Sequence, residues 1–208
     1  MKIEKLDKYN IKEFIRDMKL DDSEYLECTV EKNEFYGVKK DDVFCLGFNS
    51  LTIVDTIAIL HYSPKMSNEL FYECIDFLNK SLVAQNHLIV ELYNKKYIEL
   101  LDDKYRCKEM LVNLNLTSDN SVYEEKSKLK EKIIDIEMKS IKYNYSKDLI
   151  VCNLVKQNIQ DEKLIFSLHE YFNTLDVANI SFVIYNDCFE YFETLNYECV
   201  SKSYVIRN

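Results

Sequence analysis

The sequence predicts a mixed α/β fold, in which a central β-sheet is flanked by helices, and it predicts that this layout occurs twice. Segments with strand-like and helix-like patterns alternate along most of the chain. The apolar stripe of Leu70–Ser81 recurs 94 positions later, and the segment 87–116 then runs onto 179–208 at an offset of 92. Because identical letters are few, the repeat is inferred from periodicity and from the shared order of segments. We expect an N-terminal domain over residues 1–116 and a shorter C-terminal domain over 117–208.

Composition and charge narrow the class of protein. With 208 residues, of which 47% are hydrophobic and 30% charged, the chain can bury a substantial core. The apolar run Leu51–Tyr62 is interrupted by Asp55 and is too short to span a membrane, and Met1–Lys5 lacks the apolar core of a signal peptide. We therefore expect a cytoplasmic protein with no membrane partner. The net charge of −9, with only three arginines, argues against a nucleic-acid partner, which needs a basic surface.

The seven cysteines are interpreted as reduced core thiols. None forms a C-x-x-C pair, and most occupy apolar positions of helical or strand patterns, as Cys45 and Cys74 do. Cys152 and Cys188 could act as nucleophiles only with a positioned base, and no histidine is close to them in sequence. The three histidines lack the spacing of metal ligands, so no metal site is predicted.

The first elements follow from apolar periodicity and turn residues. Met1–Leu6 alternates as a short strand does, and Asn10 is predicted to cap a helix whose apolar residues share one face. Asp21–Val30 has the pattern of a second, weaker helix. Phe35–Val38 and Val43–Phe48 flank four polar residues and predict a β-hairpin.

The middle of the chain predicts a long strand followed by the first copy of the repeat. Leu51–Tyr62 is rich in β-branched residues, with a bend near Asp55, and Pro64 ends the strand because proline cannot donate to a sheet. A helix beginning at Ser67 or Asn68 carries the repeated apolar stripe. A buried strand, a short helix and a final strand follow over Leu88–Leu92, Lys95–Asp103 and Cys107–Leu116.

The second half begins after Thr117–Ser121, five small polar residues that are the best candidate for a linker. Glu124–Lys132 is rich in charge and predicts a solvated helix, whereas Ile133–Ile141 alternates and predicts a strand. The remaining segments repeat the order of the first half, as strand Leu149–Val155, helix Asp161–Leu175, strand Ile180–Tyr185, helix Cys188–Leu195 and strand Cys199–Ile206.

Several stretches resemble the GNAT superfamily of acyl-CoA-dependent N-acyltransferases. Leu46-Gly47-Phe48 is similar to the I-V-G-F that closes the family's third strand, and Leu60–Pro64 is similar to the L-x-V-x-P that ends its fourth strand. In the second half, Tyr185-Asn186 followed by Tyr191–Tyr197 resembles the family's N-x-x-A-x-x-F-Y-E-K-L-G-F. The resemblance implies two GNAT-like repeats, each a central mixed sheet flanked by helices. It also implies transfer of an acyl group, acetyl in the first instance, from coenzyme A to a primary amine on a small molecule or peptide.

The loop that binds the pyrophosphate of coenzyme A departs from the family's pattern. The family opens the helix after its fourth strand with R/Q-x-x-G-x-G/A, whose backbone N–H groups hold the phosphates. Neither of the two glycines of this chain lies there. Lys65, Ser67 and Asn68 could offer a poorer anion site, whereas the loop of the second copy, Lys156–Glu162, ends in two acids. The resemblance therefore places acetyl-CoA in the first copy.

The catalytic residues implied by the resemblance are His61 and Tyr191. His61 lies near the end of the strand on which the family often places a general base, and the ordinary pKa of histidine suits that role. The family's general acid is a tyrosine at the position of Phe192, which leaves Tyr191 one residue out of register. Tyr185 and Asn186 follow a central strand, where the family's substrate and cofactor meet.

Each of these residues also has a structural interpretation. His61 could be a half-buried strand residue, and Tyr185-Asn186 recurs as Tyr93-Asn94, which favours asparagine as a helix cap. The missing glycines and tyrosine favour a second function, a non-catalytic module for binding or assembly. A third is an acyltransferase with another donor, such as an acylated carrier or an aminoacyl-tRNA, although the low arginine count argues against tRNA. The sequence leaves open the oligomeric state, including a homodimer, and how the two sheets meet.

Overall fold

The internal contacts of the chain divide it into two compact units. Unit 1 consists of Met1–Arg106 together with Ser203–Asn208, and unit 2 consists of Cys107–Lys202. The computed structural model describes residues 1–21, 34–50, 56–82, 87–116, 130–146, 149–154, 156–175 and 177–207. The helix predicted over 21–30, apart from Asp21, and the linker predicted over 117–121 lie outside these residues.

The described residues of unit 1 form five strands and three helices, together with the end of the last strand of the chain. They are β1 (Lys2–Lys5), α1 (Ile11–Met18), β2 (Phe35–Lys40), β3 (Val43–Ser50), β4 (Thr56–Tyr62), α2 (Asn68–Leu82), β5 (His87–Leu92) and α3 (Lys95–Asp102), and residues from Ser203 onward complete the unit.

The sheet of unit 1 has the strand order β1-β2-β3-β4-β5, and the last strand of the chain follows β5. Neighbours from β1 to β4 are antiparallel, and β4 pairs with β5 in parallel. The predicted hairpin is present as β2 and β3, and its turn places Asp41 and Asp42 at φ 52° and 60°. Two successive residues with positive φ are typical of the type I′ turn that suits the twist of a hairpin.

Helices α1 and α2 pack on opposite faces of this sheet. The ring of Phe14 in α1 lies 5.3 Å from the ring of Phe44, and the next residue, Cys45, contacts Cys74 of α2. The two faces hold separate buried side chains, of which Phe14 on one side and Phe71, Cys74 and Leu78 on the other are fully buried. His61 on β4 faces Phe14 and therefore lies on the α1 side.

Unit 2 contains the remaining elements. They are β6 (Cys107–Asn115), β7 (Lys130–Ile136), β8 (Lys139–Tyr145), β9 (Leu149–Asn153), α4 (Lys156–Ile159), α5 (Glu162–Asn173), β10 (Asn179–Ile184), a short 3₁₀ helix (Asn186–Cys188), α6 (Phe189–Thr194) and β11 (Glu198–Arg207), whose residues up to Lys202 belong to this unit.

The sheet of unit 2 has the strand order β11-β6-β10-β9-β8-β7. β9 and β10 are parallel, whereas β10 pairs with β6, and β9 with β8 and β8 with β7, in antiparallel fashion. The stripe of α5 packs on this sheet, and Leu164, Leu168 and Phe172 are fully buried there. The core around them includes Phe182 and Phe192, which share a face-to-edge cluster with Tyr197.

The predicted mixed α/β fold is confirmed, and the strongly periodic segments form the expected helices and strands. The order helix, strand, helix, strand occurs in α2-β5-α3-β6 and again in α5-β10-α6-β11. By contacts, β6 belongs to unit 2, while the chain returns to unit 1 from Ser203 onward. No helix among the described residues is long and apolar enough to cross a membrane.

Three local predictions were wrong. The charged run predicted as a helix over 124–132 ends in strand β7 from Lys130 onward, and its earlier residues lie outside the described part. The strand predicted over 133–141 is interrupted by a turn at Glu137 and Met138, with φ 50° and 61°, so that β7 and β8 form a hairpin. Asn10 stands at the start of α1, but its side-chain oxygen accepts a hydrogen bond from the N–H of Asp7 and does not cap the helix.

Candidate functional site

The carboxyl ends of the parallel strand pairs are the places to look for a site. Ligands of open α/β sheets bind outside the carboxyl ends of parallel strands, because the chain leaves the sheet there toward helices. Unit 1 offers this position beyond β4 and β5, and unit 2 offers it beyond β9 and β10. The predicted site residues divide between these places, with His61, Lys65, Ser67 and Asn68 in unit 1 and Tyr185, Asn186 and Tyr191 in unit 2.

The helix start beyond β4 is occupied by the chain's own side chains. The Ser67 hydroxyl oxygen accepts a hydrogen bond from the N–H of Leu70 at 3.1 Å and so caps α2. The Glu69 carboxylate accepts from its own backbone N–H and from the Ser67 hydroxyl, and these bonds lower the pKa of that carboxyl. Lys65 and Asn68 are exposed beside them. An incoming phosphate would meet donors already in use, next to a negative charge.

Three aromatic side chains fill the space between α2 and α3 at the end of β4. Tyr62 ends the strand, and its ring stacks on that of Tyr97 in α3 with centroids 4.2 Å apart and an angle of 17°. The ring of Phe71 in α2 lies 4.6 Å from Tyr97. Phe71 is fully buried and Tyr97 is 5% exposed. Burial raises the pKa of both tyrosines. We call Tyr62, Phe71 and Tyr97 the aromatic stack.

His61 faces the opposite side of the sheet from the aromatic stack. It pairs with Gly47 of β3, and its ring lies 5.6 Å from Phe35 and 6.1 Å from Phe14. Burial among these rings lowers the pKa of the imidazole, so His61 is neutral at pH 7. Neutrality is what a general base needs, but the described neighbours of His61 are apolar rings rather than the loop with Lys65.

Unit 2 has an open cleft at the corresponding place. The cleft has a volume of about 460 Å³ and lies between the chain leaving β9 and the chain leaving β10. Three carboxylates line it, and none of its described lining residues is a lysine or arginine. We call it the acidic cleft, and its lining residues are Ile159, Gln160, Glu162, Asp187, Cys188, Glu190, Tyr191 and Thr194.

Tyr191 is the predicted catalytic residue that lies in the acidic cleft. Its hydroxyl donates a hydrogen bond to the backbone carbonyl of Glu162 at 3.1 Å. Burial, reinforced by the charge of Glu162, raises the pKa of the phenol, so that Tyr191 keeps its proton at neutral pH. Phe192, at the position of the family's tyrosine, is fully buried in the core. Tyr191, which lies one residue before the position of the family's tyrosine, is therefore the residue that faces the cleft.

The start of α5, beside the acidic cleft, is held by a carboxylate and by the β7–β8 turn. Asp161 accepts a hydrogen bond from the N–H of Leu164 at 3.1 Å and forms an ion pair with Lys139 at 2.7 Å. The hydrogen bond from Lys139, followed by that from the backbone, lowers the pKa of the Asp161 carboxyl. Glu137 at the turn pairs with Lys163 at 2.9 Å. A phosphate at this helix start would therefore meet the Asp161 carboxylate, and the Leu164 N–H is already in use.

The other predicted residues have local roles in the fold. Asn94 caps α3 by accepting a hydrogen bond from the N–H of Lys96 at 3.1 Å, as the structural interpretation of Tyr93-Asn94 expects. Tyr185 is half-buried against the core of unit 2, and Asn186 begins the 3₁₀ helix that leads to the cleft. Asn196 adopts the left-handed conformation, with φ 63°, which asparagine tolerates.

Sequence reasoning missed the aromatic stack and most of the acidic cleft. Asp187 and Glu190 could have been found from the sequence, because both follow strand β10. Glu162 follows β9, the parallel neighbour of β10, so all three carboxylates belong to the carboxyl ends of one parallel pair. The aromatic stack could not have been found in this way, since its members come from three separate segments. Within the described ranges, no group of three or more His, Cys, Asp and Glu side chains is placed to hold a metal ion.

Comparison with solved structures finds likeness over the whole chain at low identity. A candidate acetyltransferase from Thermoplasma acidophilum superposes with a TM-score of 0.52 at 12% identity, covering 100% of both chains. A GCN5-related N-acetyltransferase from Sphaerobacter thermophilus gives a TM-score of 0.51 at 7% identity, covering 100% of this chain and 95% of the other. A tandem GNAT protein from the clavulanic acid biosynthesis pathway gives 0.41 at 6% identity over 99% and 98% of the two chains. No protein-family model matches the sequence, and no curated protein matches it.

Proposed function

The chain has the fold of the GNAT superfamily, and from that premise we propose that it is an N-acyltransferase acting on a primary amine. The acyl group is acetyl in the first instance, and the donor is acetyl-CoA. The observation that carries the proposal is the acidic cleft of unit 2, which lies at the carboxyl ends of a parallel pair and contains a protonated tyrosine.

The side chains of the acidic cleft suit an amine acceptor. Glu162, Asp187 and Glu190 attract a protonated amine, and a carboxylate close to the ammonium group can take its proton before attack. Tyr191, whose phenol stays protonated, can give a proton to a leaving thiolate at the edge of the same cleft. Acyl transfer needs both actions, one at the nucleophile and one at the leaving group.

The phosphates of acetyl-CoA are the difficulty for this proposal. At the start of α2, Ser67 and Glu69 accept hydrogen bonds from backbone N–H groups that could otherwise bind a phosphate, and at the start of α5 Asp161 accepts one from Leu164 and adds a negative charge. Lys65 is the exposed cation next to the first of these starts. We therefore expect acetyl-CoA to bind with less help from its phosphates than the helix-start loop of the family gives.

The first experiment is calorimetric titration of the purified chain with acetyl-CoA and, in parallel, with coenzyme A. We expect binding that Lys65→Glu leaves unchanged, because the proposed transfer takes place in the acidic cleft of unit 2. Binding weakened by Lys65→Glu would place the donor at the start of α2 and contradict the role given to the cleft. A screen of primary amines, followed by mass measurement of the products, then tests transfer.

Tyr191→Phe is the variant that tests the catalytic role. We expect turnover to fall by about 100-fold or more while acetyl-CoA binding is unchanged, because a general acid typically contributes 10²–10⁴-fold. Tyr171→Phe is the matched control, since Tyr171 lies on α5 against the core and does not line the cleft. Equal turnover in the two variants would remove Tyr191 from the mechanism.

A second candidate function is a non-catalytic binding module on the same scaffold. The capped helix starts favour it, because at each of the two starts a side chain of the chain itself accepts a hydrogen bond from a backbone N–H. Absence of heat with either ligand, from protein whose circular dichroism shows it folded, would support this function and exclude acetyl-CoA as the donor.

A further inference from the structure

Two thiols of unit 1 lie in direct contact inside the protein. The Sγ atoms of Cys45 on β3 and Cys74 on α2 are 3.6 Å apart. Cys45 is 4% exposed and Cys74 is fully buried. The Cys45 thiol donates a hydrogen bond to the carbonyl of Val38 at 3.2 Å, which leaves the Cys74 thiol as the donor between the two sulfur atoms.

A β-bulge brings Cys45 to this position. The register runs from Val38 opposite Leu46 directly to Lys39 opposite Phe44, so Cys45 has no register partner on β2. In a regular strand Cys45 and Gly47 would share a face. Instead, Gly47 lies against Phe14 of α1, while Cys45 reaches Cys74 of α2 on the other side. Bulges re-aim side chains in this way.

The surroundings of the pair favour reaction at Cys45. The hydrogen bond from Cys74, together with the charge of Lys40, lowers the pKa of the Cys45 thiol, and burial and the neighbouring sulfur raise that of Cys74. Lys40 is itself held in contact with Glu73, the residue before Cys74. The pair therefore contains one thiol that ionises more readily and one that is placed to resolve its oxidised form.

We propose that Cys45 and Cys74 are a redox site that forms a reversible disulfide between β3 and α2. With hydrogen peroxide as oxidant, the Cys45 thiolate attacks one peroxide oxygen, the O–O bond breaks, and Cys45 sulfenic acid and water are produced. The Cys74 sulfur then attacks the sulfenic sulfur, the S–S bond forms, the S–O bond breaks, and a second water leaves. The two thiols lose two electrons and two protons, and the peroxide is reduced to two waters.

The disulfide would tie α2, which carries the Ser67 cap and Asn68 at its start, to the middle of the sheet. The two cysteines are 29 residues apart, so the link closes a loop of moderate length and restricts the unfolded chain. This inference is independent of the proposed acyltransferase function, since it concerns the thiols alone and its test needs no activity.

Peptide mapping of the oxidised full-length chain tests the proposal. The folded protein is treated with hydrogen peroxide, its remaining thiols are alkylated, and it is digested with trypsin. Cleavage after Lys40, Lys65 and Lys80 places Cys45 and Cys74 in adjacent peptides that contain no other cysteine. We expect these two peptides to be joined, and to separate after treatment with dithiothreitol. We also expect the melting temperature of the oxidised protein to be higher by about 5–10 °C.

Two variants make the test specific. Cys74→Ala is expected to abolish the joined peptides and the rise in melting temperature. Cys152→Ala, which removes a fully buried thiol of unit 2, is expected to preserve both. The proposal is overturned if the two peptides stay separate while the half-buried thiols of Cys107, Cys188 or Cys199 become oxidised. It is equally overturned if the link forms only in urea, because the folded geometry would then not promote it.

Discussion

Alanine at Gly47 is expected to destabilise unit 1, although a strand ordinarily prefers alanine to glycine. Gly37 and Gly47 are the two glycines of the chain, and they stand directly opposite each other on β2 and β3. A Cβ atom at Gly47 would lie 2.5 Å from Cζ of Phe14 and 3.3 Å from Cβ of His61. The glycine is therefore required by the close approach of α1 to the sheet.

The expected loss of stability in Gly47→Ala is the balance of two opposed effects. Replacing glycine by alanine within a strand raises the free energy of unfolding by about 0.5–1 kcal/mol, because alanine has less conformational freedom in the unfolded chain. The new Cβ, however, would sit about 1 Å inside the separation of 3.5–4.0 Å at which carbon atoms attract, and overpacking of this kind costs about 1–3 kcal/mol. Because Phe14 is fully buried and held by Phe35 and Phe44, the ring has little room to move. We expect a net loss of about 1–2 kcal/mol.

Urea unfolding of Gly47→Ala, followed by circular dichroism, measures this loss. Phe14→Leu shortens the side chain that meets the new methyl group, so the double variant should be less destabilised than the sum of the two single variants by at least about 0.5 kcal/mol. Gly47→Ala that is more stable than the parent, or a double variant whose loss is the simple sum, would refute the overlap with Phe14.

Three further predictions concern other parts of the structure. Burial lowers the pKa of His61 below its ordinary 6.5, so that the unfolded chain takes up a proton at a higher pH than the folded chain does. The free energy of unfolding should therefore fall as the pH is lowered from 6.5 toward the pKa of the folded protein. His61→Asn should weaken this dependence in melting curves at several pH values, and the part that remains comes from His169, whose pKa burial also lowers. Tyr204→Phe should cost about 1–2 kcal/mol in urea unfolding, because the hydroxyl of Tyr204 donates to the Asp102 carboxylate at 2.9 Å. Tyr97→Ala should cost about 3–5 kcal/mol by removing the centre of the aromatic stack, whereas Tyr97→Phe should cost less than about 1 kcal/mol.

Local sequence predicted the elements whose apolar pattern matches the period of a helix or strand. The stripe of α5 is an example, because Leu164, Leu168 and Phe172 fall on one face and all three are buried. The charged residues of β7 had no such pattern, and their state depends on a partner strand. Glu131 pairs with Lys142 of β8 at 2.6 Å, a cross-strand contact that the run over 124–132 cannot show by itself.

The candidate site was less predictable, because it depends on which segments meet. Tyr191 could be named from its place near the end of the repeat, and it does line a cleft. The contact of Lys139 with Asp161, by contrast, joins a β-turn to a helix start 22 residues away and determines whether a phosphate can approach. The bulge at Cys45 likewise depends on the register with β2, so a strand pattern alone would place Cys45 on the wrong face.

The two parallel strand pairs differ in a way that bears on the order of experiments. At the end of β4 the rings of the aromatic stack pack against one another, so a ligand between them must displace buried apolar surface. Beyond β9 and β10 the space is open, but its carboxylates repel an anion and attract a cation. The acidic cleft therefore suits an amine better than it suits the phosphates of acetyl-CoA. Titration with the donor is the sharper first test, because the proposed function depends on the ligand that these side chains favour least.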